Sequence, residues 1–207
     1  MLKPNLVAPI PEATTKLPVM RALVRLMRSA HKDISIGEGS AAAAPFNVRN
    51  DQTFRTSNKL GMKNLIGLYP GAIYQALRGN MHDMASKVEP SATAAPIVDM
   101  VRANKLGLVV IDASTAMEGN GPTDGTQVPM ETIIAGTNPL ATDMVAASLM
   151  GFEPDEISTF TWAHKAGLRP HRLEEIETRG EPLDRVRREF VRPVLVSWNP
   201  ADAPLLR

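Results

Sequence analysis

One stretch near the middle of the chain, LGLVVIDASTAMEGNGPTDG at residues 106–125, constrains the fold more than any other. Its first six residues form an apolar run broken only by a glycine, which is typical of a strand buried in a parallel sheet. Acidic side chains and three glycines follow at once. A surface turn needs only one or two such residues, so the stretch predicts a loop shaped around a ligand.

Strand-like and helix-like segments alternate along the rest of the chain. Residues 17–30, LPVMRALVRLMRSA, place apolar side chains on one helical face and arginines on the other, and the strand-like run DISIG follows. After the central stretch, ETIIAGT is typical of a strand, and Asn138 and Pro139 are suited to cap and begin a helix. The sequence therefore predicts a single α/β domain over residues 1–207, with a mostly parallel sheet and helices on both faces.

The composition excludes several classes of protein. The 207 residues include 23 basic and 22 acidic side chains and only 4% aromatic residues, so neither nucleic acid nor an anionic membrane is expected as a partner. Cysteine is absent, so this chain holds no iron–sulfur cluster by thiolates. No apolar run approaches the roughly 18 residues of a membrane span, and no secretory signal is evident, which predicts a cytoplasmic location.

Three acidic residues are predicted to meet at one edge of the sheet: Glu38 after DISIG, Asp112 at the end of the central run, and Asp143 near a helix start. In open α/β sheets, ligands bind beyond the carboxyl ends of the strands. Asp143 shares a helical stripe with apolar residues, so we expect its carboxylate to point inward. Asp112, Glu118 and Asp143 are candidate metal ligands, and their hard oxygen atoms suit Mg²⁺ or Mn²⁺. Turn capping is the structural alternative for each acid.

Lysines beside asparagines suggest a site for a small anion, because they combine charge with directed hydrogen bonds. Glycine-rich loops add backbone N–H groups. Neither loop has the Walker or dinucleotide spacing, so ATP and NAD are not assigned. Isolated surface lysines and a long turn are the alternative interpretation. The candidate ligand-binding residues are Lys3, Asn5, Glu38, Ser40, Lys63, Asn64, Gly119 and Gly121.

Six motifs, in chain order, resemble DUF362, a domain of unknown function. They are KPNLV (3–7), EATT (12–15), ISIGEGS (34–40), MKNLIGLYPG (62–71), VVIDASTAMEGNGP (109–122) and AGTNPLATDMVAASLMG (135–151). Many members carry a cysteine-rich cluster domain and are described as iron–sulfur or ferredoxin-like proteins. That electron-transfer role does not transfer to a chain without cysteine.

The chain also departs from the DUF362 pattern. The family's histidine-bearing segment before its Lys-Asn motif is replaced here by RTSNKLGMKN, which puts in doubt any activity that needs that histidine. The resemblance further implies that the chain begins within the first strand of the family, so that an edge element is missing.

Three hypotheses of function stay open. The leading one is a cytoplasmic α/β protein that binds a small anionic or metal-bound ligand at the C-terminal edge of its sheet, with catalysis left undecided. The second is a non-catalytic domain that docks a separate ferredoxin-like iron–sulfur protein. The third is a structural fragment whose glycines serve only turns. The sequence indicates no substrate, reaction or oligomeric state.

Overall fold

The computed structural model describes residues 2–5, 14–30, 34, 36, 94–104, 106–120 and 125–193. The helices of this part are α1 (Leu17–Ala30), α2 (Ala94–Asn104), α3 (Pro139–Leu149), α4 (Ser158–Lys165) and α5 (Leu183–Val186). Its strands are β1 (Val109–Ala113), β2 (Ala116–Glu118), β3 (Thr126–Val128) and β4 (Thr132–Gly136). Short 3-10 turns lie at Pro154–Glu156 and Leu173–Glu175.

The four strands form one interrupted hairpin. β1 pairs with β4 in antiparallel register, with Asp112 opposite Ile133, and β2 pairs with β3 nearer the tip. Between the two ladders, residues 114–115 lie opposite residues 129–131. Two residues thus face three, so the hairpin contains a bulge. Glu131 has a positive φ of 49°, and its N–H donates to the carbonyl oxygen of Ser114. The central stretch therefore turns back on itself.

The prediction of a mostly parallel sheet with helices on both faces is wrong for the described residues. Both sheets there are two-stranded and antiparallel, and the parallel pairing is limited to an isolated bridge between Leu2 and Ile36. All five residues of β1 are half-buried, while Leu106 and Leu108 before it are 43% and 40% exposed. A short apolar run fits either a buried parallel strand or one arm of a hairpin, and periodicity alone does not distinguish them.

The larger hydrophobic core lies around α3. Leu140, Met144 and Ala147 are spaced so that they share one helical face, and they pack with Val98 of α2 and Phe160 of α4. Met144 is fully buried. Burial of this face on two other helices therefore fixes the position of α3.

The start of α3 matches its sequence prediction. The Asn138 side chain accepts a hydrogen bond from the N–H of Ala141, 3.1 Å away, and Pro139 occupies the first helical position. The Asn138 amide also donates to the carbonyl oxygen of Arg169 at 2.9 Å. The predicted cap is confirmed, and it additionally ties α3 to the segment that follows α4.

A second, smaller core lies on α1. Met20 and Val24 are buried together with Ile36, and the helix covers the predicted residues 17–30. The predicted amphipathic helix is therefore confirmed. Of the DISIG run, only residues 34 and 36 fall in the described part of the chain.

A segment near the end of the described chain, residues 187–192, crosses the end of α3 and reaches the hairpin tip. We call it the C-terminal strap. The N–H of Arg188 donates to the carbonyl oxygen of Leu149 at 2.8 Å, and the carbonyl oxygen of Val191 accepts from Gly119 at 3.0 Å. Phe190 is 7% exposed, so its ring is part of the buried surface.

Candidate functional site

Asp112 joins two parts of the chain that are 96 residues apart in sequence. Its Oδ2 accepts the backbone N–H of Lys16 at 3.0 Å. Its Oδ1 accepts the N–H of Ser114 at 3.2 Å and the hydroxyl of Ser114 at 2.6 Å. Burial opposes ionisation of this carboxyl, but the hydrogen bonds from Ser114 and Lys16 outweigh burial and hold the pKa of Asp112 below its ordinary value. This is the turn-capping geometry that the sequence left open.

Lys16 lies beside Asp112, and sequence reasoning did not single it out. Its Nζ donates to the hydroxyl of Thr115 at 2.6 Å, and the residue is half-buried. The preceding residue, Thr15, exchanges two hydrogen bonds of 2.9 Å with Asn5. We call Asn5, Thr15, Lys16, Asp112 and Thr115 the Lys16 cluster. The signal in the sequence was the position of Lys16, which follows the EATT motif directly.

Two predicted ligand residues are thus brought near each other, and a third lies two residues away in sequence. Asn5 and Asp112 both belong to the Lys16 cluster, and Lys3 stands exposed two residues before Asn5 on the same segment. Gly119 lies at the hairpin tip with a positive φ of 74°, and its N–H donates to the C-terminal strap. Glu38, Ser40, Lys63, Asn64 and Gly121 lie outside the described residues.

Glu118 lies at the hairpin tip. Its Oε2 accepts the N–H of Val191 at 2.9 Å, so its carboxylate holds the C-terminal strap. The carbonyl oxygen of Val191 is bound by the neighbouring Gly119. Glu118 and Gly119 together therefore engage both backbone groups of one strap residue.

Asp143 stands at the rim of the core and not inside it, which corrects the expected inward orientation. The apolar stripe runs through Leu140 and Met144, and a helical step of about 100° puts Asp143 on its flank. The residue is exposed, yet the surrounding protein still desolvates its carboxyl and raises the pKa of Asp143.

The three predicted metal ligands are engaged in different ways. Asp112 and Glu118 accept backbone N–H groups, and Asp143 lies on α3. Within the described part of the chain, no three His, Cys, Asp or Glu side chains are grouped so that they could hold a metal ion. Binding of Mg²⁺ or Mn²⁺ by these acids stays a prediction.

A groove of about 930 Å³ lies on another side of the hairpin. β4 and the first turns of α3 line one wall, and residues 175–186 line the other. None of the described residues predicted for the site lines it. Its walls come from segments separated by tens of residues, so no local sequence pattern marks it.

The model of the family described as "Domain of unknown function (DUF362)" matches residues 55–148, a little under half of the chain. This match over residues 55–148 confirms the resemblance to DUF362 that the motifs indicated. The three motifs before residue 55 lie outside this match.

One curated relative is the thylakoid-associated protein sll1697 of Synechocystis sp. It is 28% identical over 111 residues, which are 54% of this chain and 33% of that protein. The chain therefore spans about a third of the length of this relative. No solved structure matches. None of the described helices is long and apolar enough to cross a lipid bilayer.

Proposed function

We propose that this chain binds a small anionic ligand at the Lys16 cluster. The observation that carries the proposal is the half-buried ammonium of Lys16, which is held in place by one hydrogen bond to the Thr115 hydroxyl at 2.6 Å. An ammonium has three N–H donors. Among the described residues, only Thr115 accepts from this one, so two donors are left for a ligand oxygen.

The surroundings of Lys16 favour an anion over a cation. The positive charge of Lys16 acts on one carboxylate, that of Asp112, and contributes to the lowering of its pKa. That carboxylate already accepts three hydrogen bonds, which satisfy much of its charge locally. Because Lys16 is half-buried, its attraction for a ligand is screened less by water than that of an exposed lysine.

Asp112 has a supporting role in this proposal. It fixes the backbone of Lys16 and the turn after β1, and both carry groups that face the proposed ligand. A carboxylate or phosphate group is the chemical class that suits a lysine with neighbouring hydroxyl groups. A metal-bound anion is a second form of the same ligand, and adding Mg²⁺ or Mn²⁺ distinguishes the two forms. The proposal includes no reaction.

The test is a thermal-shift titration of the full chain with phosphate, citrate and ATP, each with and without Mg²⁺ or Mn²⁺. A ligand at a hundred times its dissociation constant stabilises the fold by about 2.7 kcal/mol. Lys16→Met removes the ammonium but keeps the backbone N–H that Asp112 accepts. Lys165→Met is the matched control, because Lys165 is exposed and its ammonium lies over the Trp162 ring, 5.0 Å from the ring centre.

We expect a saturable shift in the wild type and in Lys165→Met, and none in Lys16→Met. Phosphate and citrate also stabilise proteins nonspecifically by exclusion from the surface, and that effect grows without saturation. Equal shifts in all three proteins, or no saturable shift with any of these anions, would contradict the proposal.

A further inference from the structure

Two imidazole rings lie side by side at the end of α4, outside the Lys16 cluster. The ring centres of His164 and His171 are 4.7 Å apart, and the two ring planes are tilted by 38°. His164 lies in the last turn of α4 and is half-buried, while His171 lies in the loop that follows and is exposed. Histidine is the commonest metal ligand among the side chains, so the pair is a candidate metal site.

The hydrogen bond of His164 leaves its second ring nitrogen available. Its Nε2 lies 3.0 Å from the carbonyl oxygen of Pro170. A carbonyl oxygen only accepts, so Nε2 carries the hydrogen and donates it. In the neutral ring, Nδ1 then holds a lone pair. Histidines that bind a metal commonly donate their other ring N–H to a backbone carbonyl in this way, which fixes the ring and makes the ligand more basic.

The loop that carries the carbonyl and the second ring is itself held in place. Pro170 is buried, and the carbonyl oxygen of Arg169 accepts a hydrogen bond from the Asn138 amide at 2.9 Å. The N–H of His171 donates to Oε2 of Glu175 at 3.2 Å. These bonds fix the backbone on both sides of Pro170. The ring of His171 is exposed, so it can still turn to direct a nitrogen at an ion.

The separation of the two rings fits a shared ion. Two imidazoles on one ion, with metal–nitrogen bonds of about 2.0–2.1 Å at an angle of about 90–110°, have ring centres about 4.5–5.2 Å apart. The observed 4.7 Å lies within this range. The tilt between the planes does not oppose coordination, because each ring can rotate about its own metal–nitrogen bond.

We propose that His164 and His171 together bind one divalent transition-metal ion, through Nδ1 of His164 and a ring nitrogen of His171. Within the described part of the chain, no third histidine or acidic side chain joins them in a group that could hold a metal, so water completes the coordination. The pair is separate from the acids considered for Mg²⁺ or Mn²⁺.

The surrounding charges indicate which ions the pair selects. Lys165, Arg169 and Arg172 are neighbours of the two histidines in sequence, so charge alone does not attract a cation here. The ion is held by its bonds to nitrogen. Imidazole suits Cu²⁺, Ni²⁺ and Zn²⁺, whereas Mg²⁺ and Ca²⁺ prefer oxygen ligands. Cu²⁺ forms the strongest complexes of this series and is therefore the best probe.

The test is a calorimetric titration of the untagged full-length chain with Cu²⁺, followed by electron paramagnetic resonance at one equivalent. We expect one ion per chain and a spectrum with hyperfine splitting from two nitrogen ligands. Zn²⁺ should compete for the site, and an excess of Mg²⁺ should not, because Mg²⁺ binds imidazole poorly.

Protein variants locate the ion. His171→Ala removes one ligand at an exposed position. His164→Gln removes the other, and the glutamine amide can still donate to the carbonyl of Pro170. The matched control is His31→Ala with His82→Ala, which removes the two remaining histidines of the chain. Each of the first two variants should weaken Cu²⁺ binding by at least about tenfold, since loss of even an outer hydrogen-bond partner costs about 10–100-fold. The control should bind as the wild type does.

Several results would overturn the proposal. These are no equimolar binding of Cu²⁺, a spectrum with fewer than two nitrogen ligands, or unchanged affinity in His171→Ala. Loss of binding in the control alone would assign the ion to His31 or His82 and equally reject the pair. If His164→Gln lowers the stability of the fold, His171→Ala decides alone, because substitutions at exposed positions rarely alter stability.

Discussion

The carboxylate of Asp112 accepts the backbone N–H of Lys16 at 3.0 Å, and this bond connects the segment before α1 with the end of β1. The Lys16 side chain returns to the same turn, where it donates to the hydroxyl of Thr115. Two long-range hydrogen bonds thus join the same two segments. The described N-terminal residues are therefore held against the hairpin by polar contacts that a single substitution interrupts.

We expect Asp112→Asn to lower the free energy of unfolding by about 1–3 kcal/mol at pH 7. The substitution replaces one carboxylate oxygen by an amide NH₂ group, which cannot accept the hydrogen bond that this oxygen accepts. Asp99→Asn, at an exposed position of α2, is the control and should change stability by less than about 0.5 kcal/mol. Urea unfolding of the three proteins measures the effect. A loss in Asp112→Asn no larger than that in the control would show that the bonds contribute little.

The two aspartates should titrate on opposite sides of their ordinary value of 3.8. Burial opposes ionisation of Asp112, but hydrogen bonds outweigh it and lower its pKa, whereas desolvation by the surrounding protein raises the pKa of Asp143. Carbon-detected NMR of the carboxyl groups, assigned with Asp112→Asn and Asp143→Asn, measures both. A titration midpoint of Asp112 above that of Asp143 would contradict the described surroundings of these residues.

These shifts also set the pH dependence of stability. Because the folded-state pKa of Asp112 is lowered, its stabilisation is complete above 3.8 and is lost as the pH falls through the folded-state pKa. The difference in unfolding free energy between wild type and Asp112→Asn should therefore shrink on acidification below 3.8. A difference that does not change with pH would argue against the ionised form as the acceptor.

Gly151 and Gly167 provide a matched pair, since both have a φ of +79°. A Cβ at Gly167 meets nothing within 4 Å, whereas one at Gly151 meets the carboxylate of Glu189. Gly167→Ala should cost about 1–2 kcal/mol from left-handed backbone strain alone, and Gly151→Ala should cost more. Adding Glu189→Ala to Gly151→Ala should bring the two losses together. Equal losses in the single variants would mean that Glu189 moves aside freely.

Met144→Ala tests the position of the main core. Met144 is fully buried between α2, α3 and α4, so the change should cost about 2–5 kcal/mol. Ile133 on β4 is 50% exposed, and Ile133→Ala should cost under about 1.5 kcal/mol, because half of its side chain already contacts water. Denaturant unfolding compares them. If Ile133→Ala costs as much as Met144→Ala, this face of the hairpin is covered in solution.

Local patterns predicted several elements with correct limits. The apolar face of α1 and the cap of α3 depend on residues within one or two helical turns, and both appear as expected. The strand ETIIAGT appears as β4. These features are readable in the sequence because helix periodicity and capping are interactions between near neighbours.

The candidate site was predicted less well. Asp112 was singled out near the end of a strand, and it lies one residue before the end of β1. Its partner Lys16 was not singled out, because no local pattern links positions so distant in sequence. Asp143 was placed inside the core from a helical stripe, although it lies on the flank of that stripe. The lining of the groove was missed for the same reason as Lys16.

The sequence by itself determined the helices α1 and α3, the absence of thiolate ligands, and the similarity of residues 55–148 to the DUF362 family. Only the tertiary structure decided that β1 pairs with β4 as a hairpin, that Asp112 accepts the N–H of Lys16, and that β4 lines a groove together with residues 175–186. The apolar run of β1 is compatible with more than one pairing. The choice among pairings depends on how distant segments together bury apolar surface and satisfy their hydrogen bonds.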